Sequence, residues 1–182
     1  MKNKNLFIDL LRKRRSVRTF QKRKIEAEKV KLLIEAALRS PSSRSLYPWE
    51  FIVVQKQETL TSLSQAKPHG AAFLANAPLA IVVCADPVKC DVWVEDCSIA
   101  SMLLHLQATD LGLGSCWIQL RLREHNISQS ASAKAAEILG LPKEMEVQTI
   151  IAIGYPKGEI QGHDVSTLLQ NRVSYERFGK KG

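Results

Sequence analysis

The sequence predicts a layered domain of mixed α/β or α+β class, in which helices pack against one sheet. Short apolar runs rich in β-branched residues indicate four buried strands, and segments with helical spacing of apolar residues alternate with them. At 182 residues the chain is long enough to bury about 70% of its unfolded surface. Because it contains no linker or internal repeat, we expect a single domain over residues 1–182.

The first half of the chain contains two predicted helices and two predicted strands. Apolar residues at i, i+3 and i+4 predict a first helix over about residues 5–14. A second helix begins near Glu26, and Ser40-Pro41 ends it, since the residue before a proline disfavours helical backbone. Residues 51–54 and 79–83 are apolar runs bounded by polar residues or Pro, so they indicate buried strands with a short helix between them.

The second half begins with a long helix over residues 92–111 that is apolar almost all round. Such a helix must be central or lie in a subunit interface. A strand over residues 115–120 follows. Ser128 is a candidate cap for a helix that runs to Leu139, and residues 147–153 form the last predicted strand. Residues 172–178 have alternating character and no local partner, so we expect them to pair with a sheet edge, if necessary in another subunit.

Composition limits the classes of site and compartment. The longest wholly apolar run, Ala77 to Ala85, is far shorter than the ~20 residues of a spanning helix. The N-terminus lacks signal-peptide character, so we expect a cytoplasmic protein without membrane association. The four cysteines have no zinc-site spacing and are expected to be buried reduced thiols. None of the four histidines belongs to a nucleophile motif, which leaves hydrolase chemistry without support.

The positive charge is concentrated near the N-terminus. The chain has a net charge of +8, and residues 10–25 contain eight Lys or Arg and no carboxylate. Within this run Arg14, Ser16 and Arg18 could direct two cations and a hydroxyl to one side of an extended segment, which suits a phosphate. The alternative from the residues alone is a solvated face or a nucleic-acid patch.

Two motifs resemble the N-terminal signatures of FMN-dependent nitroreductases. The first is Arg14-Arg15-Ser16-Val17-Arg18, and the second is Pro41-Ser42-Ser43, followed by Pro48-Trp49-Glu50-Phe51. The order of strands and helices after them also resembles that family, including Gly154-Tyr155-Pro156 after the last strand. The resemblance implies a nitroreductase-like fold with a central, mostly antiparallel sheet flanked by helices. It further implies a homodimer in which the C-terminal tail is exchanged.

The resemblance also implies a set of FMN-binding residues and no catalytic side chain. Backbone N–H groups of the third strand are expected to face the flavin ring at Gln119 and Leu120. Ser45 and Tyr47 replace the Asn and Gln common in the family, and Lys157 or Arg172 would supply a second basic contact to the phosphate. The implied binding residues are Arg14, Arg15, Ser16, Arg18, Pro41, Ser42, Ser43, Arg44, Ser45, Trp117, Ile118, Gln119 and Leu120.

The function implied by the resemblance is that of a redox flavoprotein. NADH or NADPH would deliver hydride to flavin N5, and a nitroaromatic, quinone or similar small acceptor would then take the electrons in a ping-pong reaction. Two alternatives belong to other classes. One is a flavin-binding protein without turnover, and the other is a nucleic-acid-binding module that uses the basic residues 10–25 as an arm.

Overall fold

The computed structural model describes residues 6–159 and 161–182. Asn5, the predicted first residue of the first helix, lies outside this part. The helices are α1 (Leu6–Lys13), α2 (Ala27–Leu38), α3 (Gln57–Ser64), α4 (Trp93–Asp110) and α5 (Ala131–Leu139). The strands are β1 (Trp49–Val54), β2 (Leu79–Ala85), β3 (Gly114–Gln119), β4 (Glu124–Asn126), β5 (Gln129–Ser130) and β6 (Glu146–Gly154).

The main sheet has four antiparallel strands in the order β1-β2-β6-β3, which confirms the predicted class. Residues on the strands alternate between its two faces. One face packs against α2 and α4, for example through Ile81 and Ile151. The other face packs against α3 and α5, for example through Val82 and Ile150. Both central strands are therefore buried on both sides, which explains their continuous apolar runs.

Helix α4 lies in the core, as its apolar composition predicts. Its buried residues include Cys97, Ala100 and Leu104, which pack on the sheet. Two of its apolar side chains, Ile99 and Met102, are 43% and 39% exposed on the opposite side. The helix therefore has one face in the core and a second apolar face at the surface of this chain.

Some details differ from the expectations. The β4–β5 hairpin was not predicted, because its strands are short and polar. The cap of α5 is Ser130, whose hydroxyl accepts the Ala133 N–H, so the prediction of Ser128 is wrong. Residues 172–178 include a 3-10 turn and bends rather than a strand.

The cysteines agree with the expectation drawn from composition. All four cysteines are buried and free. Within the described part of the chain, we find no helix with the length and apolar character that crossing a bilayer requires.

Candidate cofactor-binding site

The basic segment after α1 lies across one end of the main sheet. The Val17 N–H donates to the Ser115 carbonyl at 2.9 Å, which attaches the segment to the start of β3. Further along, the Lys157 N–H donates to the Thr19 carbonyl at 3.0 Å, just beyond the end of β6. The segment is therefore held at both ends by backbone hydrogen bonds, and Lys157, a predicted basic candidate, lies beside it.

Two glycines allow this close approach. A Cβ on Gly114 would lie 2.6 Å from Cγ2 of Val17, and a Cβ on Gly154 would lie 2.8 Å from Cδ1 of Phe20. Val17 and Phe20 are both buried and anchor the segment in the core on the α3 and α5 side. Glycine is thus needed at both strand ends because the segment packs directly on the sheet backbone.

Polar residues beside these anchors are available for a ligand. Arg14 is half-buried, and Ser16 and Arg18 are exposed. Among the described residues, neither arginine forms an ion pair with a carboxylate. Two guanidinium groups without carboxylate partners, next to a hydroxyl and on a backbone fixed by hydrogen bonds, are well suited to bind a phosphate dianion. Arg15 differs, because its guanidinium donates to the Gln161 carbonyl at 2.8 Å and so contacts the tail.

A buried histidine lies behind Arg14. The Nδ1 atom of His105 is 2.7 Å from the Ser115 hydroxyl, and its ring stacks on Trp117. Burial lowers the pKa of His105 to about 4, and the positive charge of Arg14 adds to the effect. His105 is therefore neutral at pH 7 and has a hydrogen-bond partner, as predicted for an interior histidine.

A second cation, Lys67, contacts the end of β3, and the sequence did not indicate it. Lys67 Nζ donates to the Gln119 carbonyl at 3.0 Å. Burial lowers the pKa of Lys67, and the nearby positive charge of Arg123 lowers it further. Burial raises the pKa of Cys116, while Arg18, Ser16 and Lys67 act in the opposite direction. Arg18 and Lys67 therefore both lie close to Cys116.

The end of β3 differs in part from the expected flavin-facing strand. The Leu120 N–H donates to the Gln148 carbonyl at 3.2 Å, so it is not the free donor that we expected. The side chains of Ile118 and Leu120 are fully buried. Gln119 Oε1 accepts the indole N–H of Trp117 at 2.8 Å, so this side chain also has a partner. At this end of β3, Trp117 and Gln119 are half-buried, so part of each residue remains accessible.

The second motif forms a tight loop near the start of α4. The Ser42 hydroxyl accepts the Tyr47 N–H, and the Ser43 N–H donates to Oδ1 of Asp96, both at 2.9 Å. Arg44 forms an ion pair with Asp91, so its guanidinium is not free. Pro41 and Ser45 are exposed.

The two motifs do not meet within this chain. No hydrogen bond among the described residues joins the loop 41–47 to the segment 14–20. Along α4, their neighbours Asp96 and His105 are about 14 Å apart at 1.5 Å per residue. A cavity of about 660 Å³ lies between α5 and the residues that follow β3. None of the predicted site residues lines this cavity. The candidate site is therefore two separate surfaces.

Comparison with known proteins assigns the chain to a family. The family model described as "Nitroreductase family" matches residues 11–68 and 59–155. The chain belongs to the nitroreductase family. This confirms the resemblance noted from Arg14 to Arg18 and from Pro41 to Ser43. The matched region contains the basic segment, the loop and all four strands of the main sheet.

Individual members show how close the similarity is. The structure of an FMN-dependent nitroreductase from Clostridium difficile is 45% identical, covers 94% of this chain and 99% of its own, and superposes with a TM-score of 0.92. An Archaeoglobus fulgidus protein provisionally named NADH dehydrogenase/NAD(P)H nitroreductase is 39% identical over 80% of this chain and 83% of its own. The NADPH:FMN oxidoreductase of Vibrio harveyi, solved with NAD⁺, is 22% identical, covers 98% of this chain and 80% of its own, and has a TM-score of 0.81, which establishes shared fold.

Proposed function

We propose that this nitroreductase-family chain is an FMN-dependent oxidoreductase. It would form a single domain over residues 1–182, take electrons from NADH or NADPH, and pass them to a nitroaromatic, quinone or similar small acceptor in a ping-pong reaction. The observation that carries the proposal is the held basic segment, in which Arg14 and Arg18 have no carboxylate partner among the described residues. Its relatives named for FMN and NAD(P)H support the choice of cofactors.

The segment's own residues would hold the phosphate and ribityl chain. Arg14 and Arg18 supply charge-assisted hydrogen bonds, and the Ser16 hydroxyl adds a neutral one. The backbone bonds from Val17 and Thr19 fix the segment before the ligand arrives, so little conformational freedom is lost on binding. Lys157 lies next to Thr19 and is our candidate for the second basic contact.

The ring would lie against the end of β3, where Trp117 and Gln119 are half-buried. Bound FMN supplies the electron-transfer chemistry, and the protein orients it and sets its electrostatics. Lys67, whose Nζ donates to the Gln119 carbonyl, places positive charge at this end of β3. That charge favours the anionic reduced form of the cofactor. The loop 41–47 would cover the ring from a partner subunit.

A homodimer agrees with the apolar surface of this chain. Helix α1 has no buried residue, and Leu6 and Phe7 are 70% and 61% exposed. It packs on α4, whose Ile99 and Met102 are exposed as well. Surface of this kind is typical of a subunit interface. The tail adds further exposed apolar side chains, namely Val165, Leu168, Leu169, Val173, Tyr175 and Phe178. Sedimentation as a monomer at micromolar concentration would contradict the dimer.

Visible absorption spectra of the purified protein test the cofactor and the reaction together. We expect flavin bands that bleach under anaerobic NADH or NADPH and return when a quinone or a nitroaromatic is added. Bands that persist with both nucleotides would instead indicate a flavin-binding protein without turnover. A colourless protein that takes up no added FMN would refute the proposal and favour the basic arm as a nucleic-acid-binding element.

Arg18→Ala tests the phosphate assignment. Because a hydrogen bond to a charged group contributes about 1.5–3 kcal/mol, the variant should bind FMN at least tenfold more weakly. Lys22→Ala is the matched control, since it removes the same charge from an exposed position of the same basic run. Titration of apo-protein with FMN, followed by flavin fluorescence, measures both. Equal FMN affinity in Arg18→Ala and Lys22→Ala would show that the assignment is wrong.

A further inference from the structure

The loop that carries the second motif has an unfavourable backbone conformation. Arg44, Ser45 and Tyr47 have φ values of 52°, 53° and 46°, and none of them is glycine. Left-handed backbone is unfavourable for such residues and persists only where the surroundings enforce it. The loop is largely exposed, so its own packing is not sufficient. Some contact with the body of the domain must hold it. Two such contacts are made by exposed side chains, namely the Arg44–Asp91 ion pair and the bond from Lys89 Nζ to the Tyr47 carbonyl.

The third contact that holds the loop comes from a buried carboxylate on α4. Asp96 is only 3% exposed. Its Oδ1 accepts the Ser43 N–H at 2.9 Å, and its Oδ2 accepts the thiol of Cys90 at 3.5 Å. No cation forms an ion pair with Asp96 among the described residues. The Ser43 N–H lies at the first position of a 3-10 turn and has no backbone partner there, so Asp96 satisfies a donor that would otherwise be unpaired.

A favourable interaction with the helix dipole does not explain why this carboxylate is buried. Glu95 lies in the same first turn of α4 and is exposed, so it provides the dipole interaction without desolvation. Burying an ionised carboxylate is unfavourable unless it makes specific hydrogen bonds. Of the two bonds that Asp96 accepts, the shorter comes from the loop and the longer from the Cys90 thiol. The first turn of α4 therefore holds residue 43.

We propose that Asp96 is a positioning residue that holds the loop 42–47 in its cofactor-binding conformation. This inference rests on the proposed function, in which the loop covers the flavin ring. Asp96 acts through the Ser43 N–H and touches neither cofactor nor substrate. Without it, the three residues with positive φ relax toward ordinary backbone, and the binding conformation becomes a minor state. Apparent FMN affinity then falls in proportion to the population of that state.

Substitution of Asp96 tests the acceptor side of this bond. Asp96→Ala should weaken FMN binding about tenfold, the expected cost of leaving the half-buried Ser43 N–H without its partner. Asp96→Asn keeps an oxygen that accepts the Ser43 N–H, so it should recover most of the affinity. Glu95→Ala is the matched control and should bind FMN as the wild type does. A purely structural role would lower the melting temperature of Asp96→Ala but leave its FMN dissociation constant unchanged.

Substitution of Ser43 tests the donor side and does not disturb the core. Ser43→Pro removes the N–H at the first position of a 3-10 turn, where proline is tolerated, and Ser42 already has the extended backbone that precedes proline. Its reference is Ser43→Ala, which keeps the N–H but also lacks the hydroxyl. We expect Ser43→Pro to bind FMN about tenfold more weakly than Ser43→Ala. This pair decides the question if Asp96→Ala does not fold.

The results of these measurements distinguish the proposed function from the role of Asp96. A wild-type protein that binds no FMN would refute the proposed function, and the inference with it. A wild type that binds FMN, together with folded Asp96→Ala and Ser43→Pro variants of unchanged affinity, would refute the inference alone. Equal losses in Asp96→Ala and Asp96→Asn would overturn it too, because they would show that the negative charge matters and the bond to Ser43 does not.

Discussion

Gly114→Ala tests whether close packing of the basic segment on β3 positions its ligand-binding residues. The added Cβ would lie 2.6–2.8 Å from Cγ2, Cβ and Cγ1 of Val17. Carbon atoms pack at about 3.5–4.0 Å, so the segment must move by roughly 1 Å. Val17 is β-branched and cannot rotate away easily. Overpacking of this kind costs about 1–3 kcal/mol, which lowers the melting temperature by about 2–12 °C in a chain of this size.

The same shift displaces Ser16 and Arg18, which flank Val17. We therefore expect FMN affinity to fall at least tenfold, the equivalent of one charge-assisted hydrogen bond. Melting temperature is measured at fixed protein concentration, and the FMN dissociation constant by fluorescence titration. In a Val17→Gly background, which removes all three close atoms, Gly114→Ala should have almost no further effect on stability.

Gly112→Ala provides the control. Its φ of +71° makes alanine unfavourable, but nothing lies within 4 Å of the added Cβ. It should lower stability by about 1–2 kcal/mol and leave FMN affinity unchanged. Our reasoning fails if Gly114→Ala keeps the stability and FMN affinity of the wild type. It also fails if Gly112→Ala loses as much FMN affinity as Gly114→Ala, because general destabilisation would then account for the effect.

Two further predictions concern pH. Since burial lowers the pKa of His105 from 6.5 to about 4, folded protein has its full stability above pH 6.5 and loses up to roughly 3 kcal/mol as the pH falls toward 4. His105→Gln should lack this step in urea denaturation, and an unchanged step would contradict the prediction. The hydrogen bond from Tyr155 is the largest cause of the low pKa of Glu26, about 2 against 4.5. In the wild type, this hydrogen bond stabilises the fold fully above pH 4.5, and the stabilisation disappears as the pH falls toward 2. Tyr155→Phe should lack this stabilisation. Parallel acid-unfolding curves for the two proteins would contradict the prediction.

The regular elements could be predicted from the sequence because their signals are local. The strands are apolar runs, so β2 and β6 are found within a few residues of their predicted limits. The Gly140 residue that ends α5 has φ +66°, as its position predicts. The β4–β5 hairpin has neither apolar alternation nor length, and its presence depends on packing against α5. Local patterns do not contain that information.

The candidate site was predicted only in part, because hydrogen-bond partners come from distant parts of the chain. The motif identified Arg15 and Arg44, but their guanidiniums bind the Gln161 carbonyl and Asp91, respectively. Lys67, which follows α3, donates to the Gln119 carbonyl on β3, and no local signal indicates this. Asp96 could be predicted as a helix-start carboxylate, but its bond to Ser43 spans 53 residues and required the folded structure.

The four buried cysteines make this chain suited to a thiol-labelling experiment. Burial raises the pKa of Cys84 and Cys97 to about 12, so both thiols stay protonated at pH 7. Cys90 and Cys116 are 2% and 1% exposed. Alkylating reagents can therefore react appreciably only when the chain opens. The natural sequence thus contains its own reporters: Cys116 monitors opening beside Arg18, and Cys90 monitors opening beside Asp96. The protection that FMN gives to each thiol would show which end of the site the cofactor stabilises.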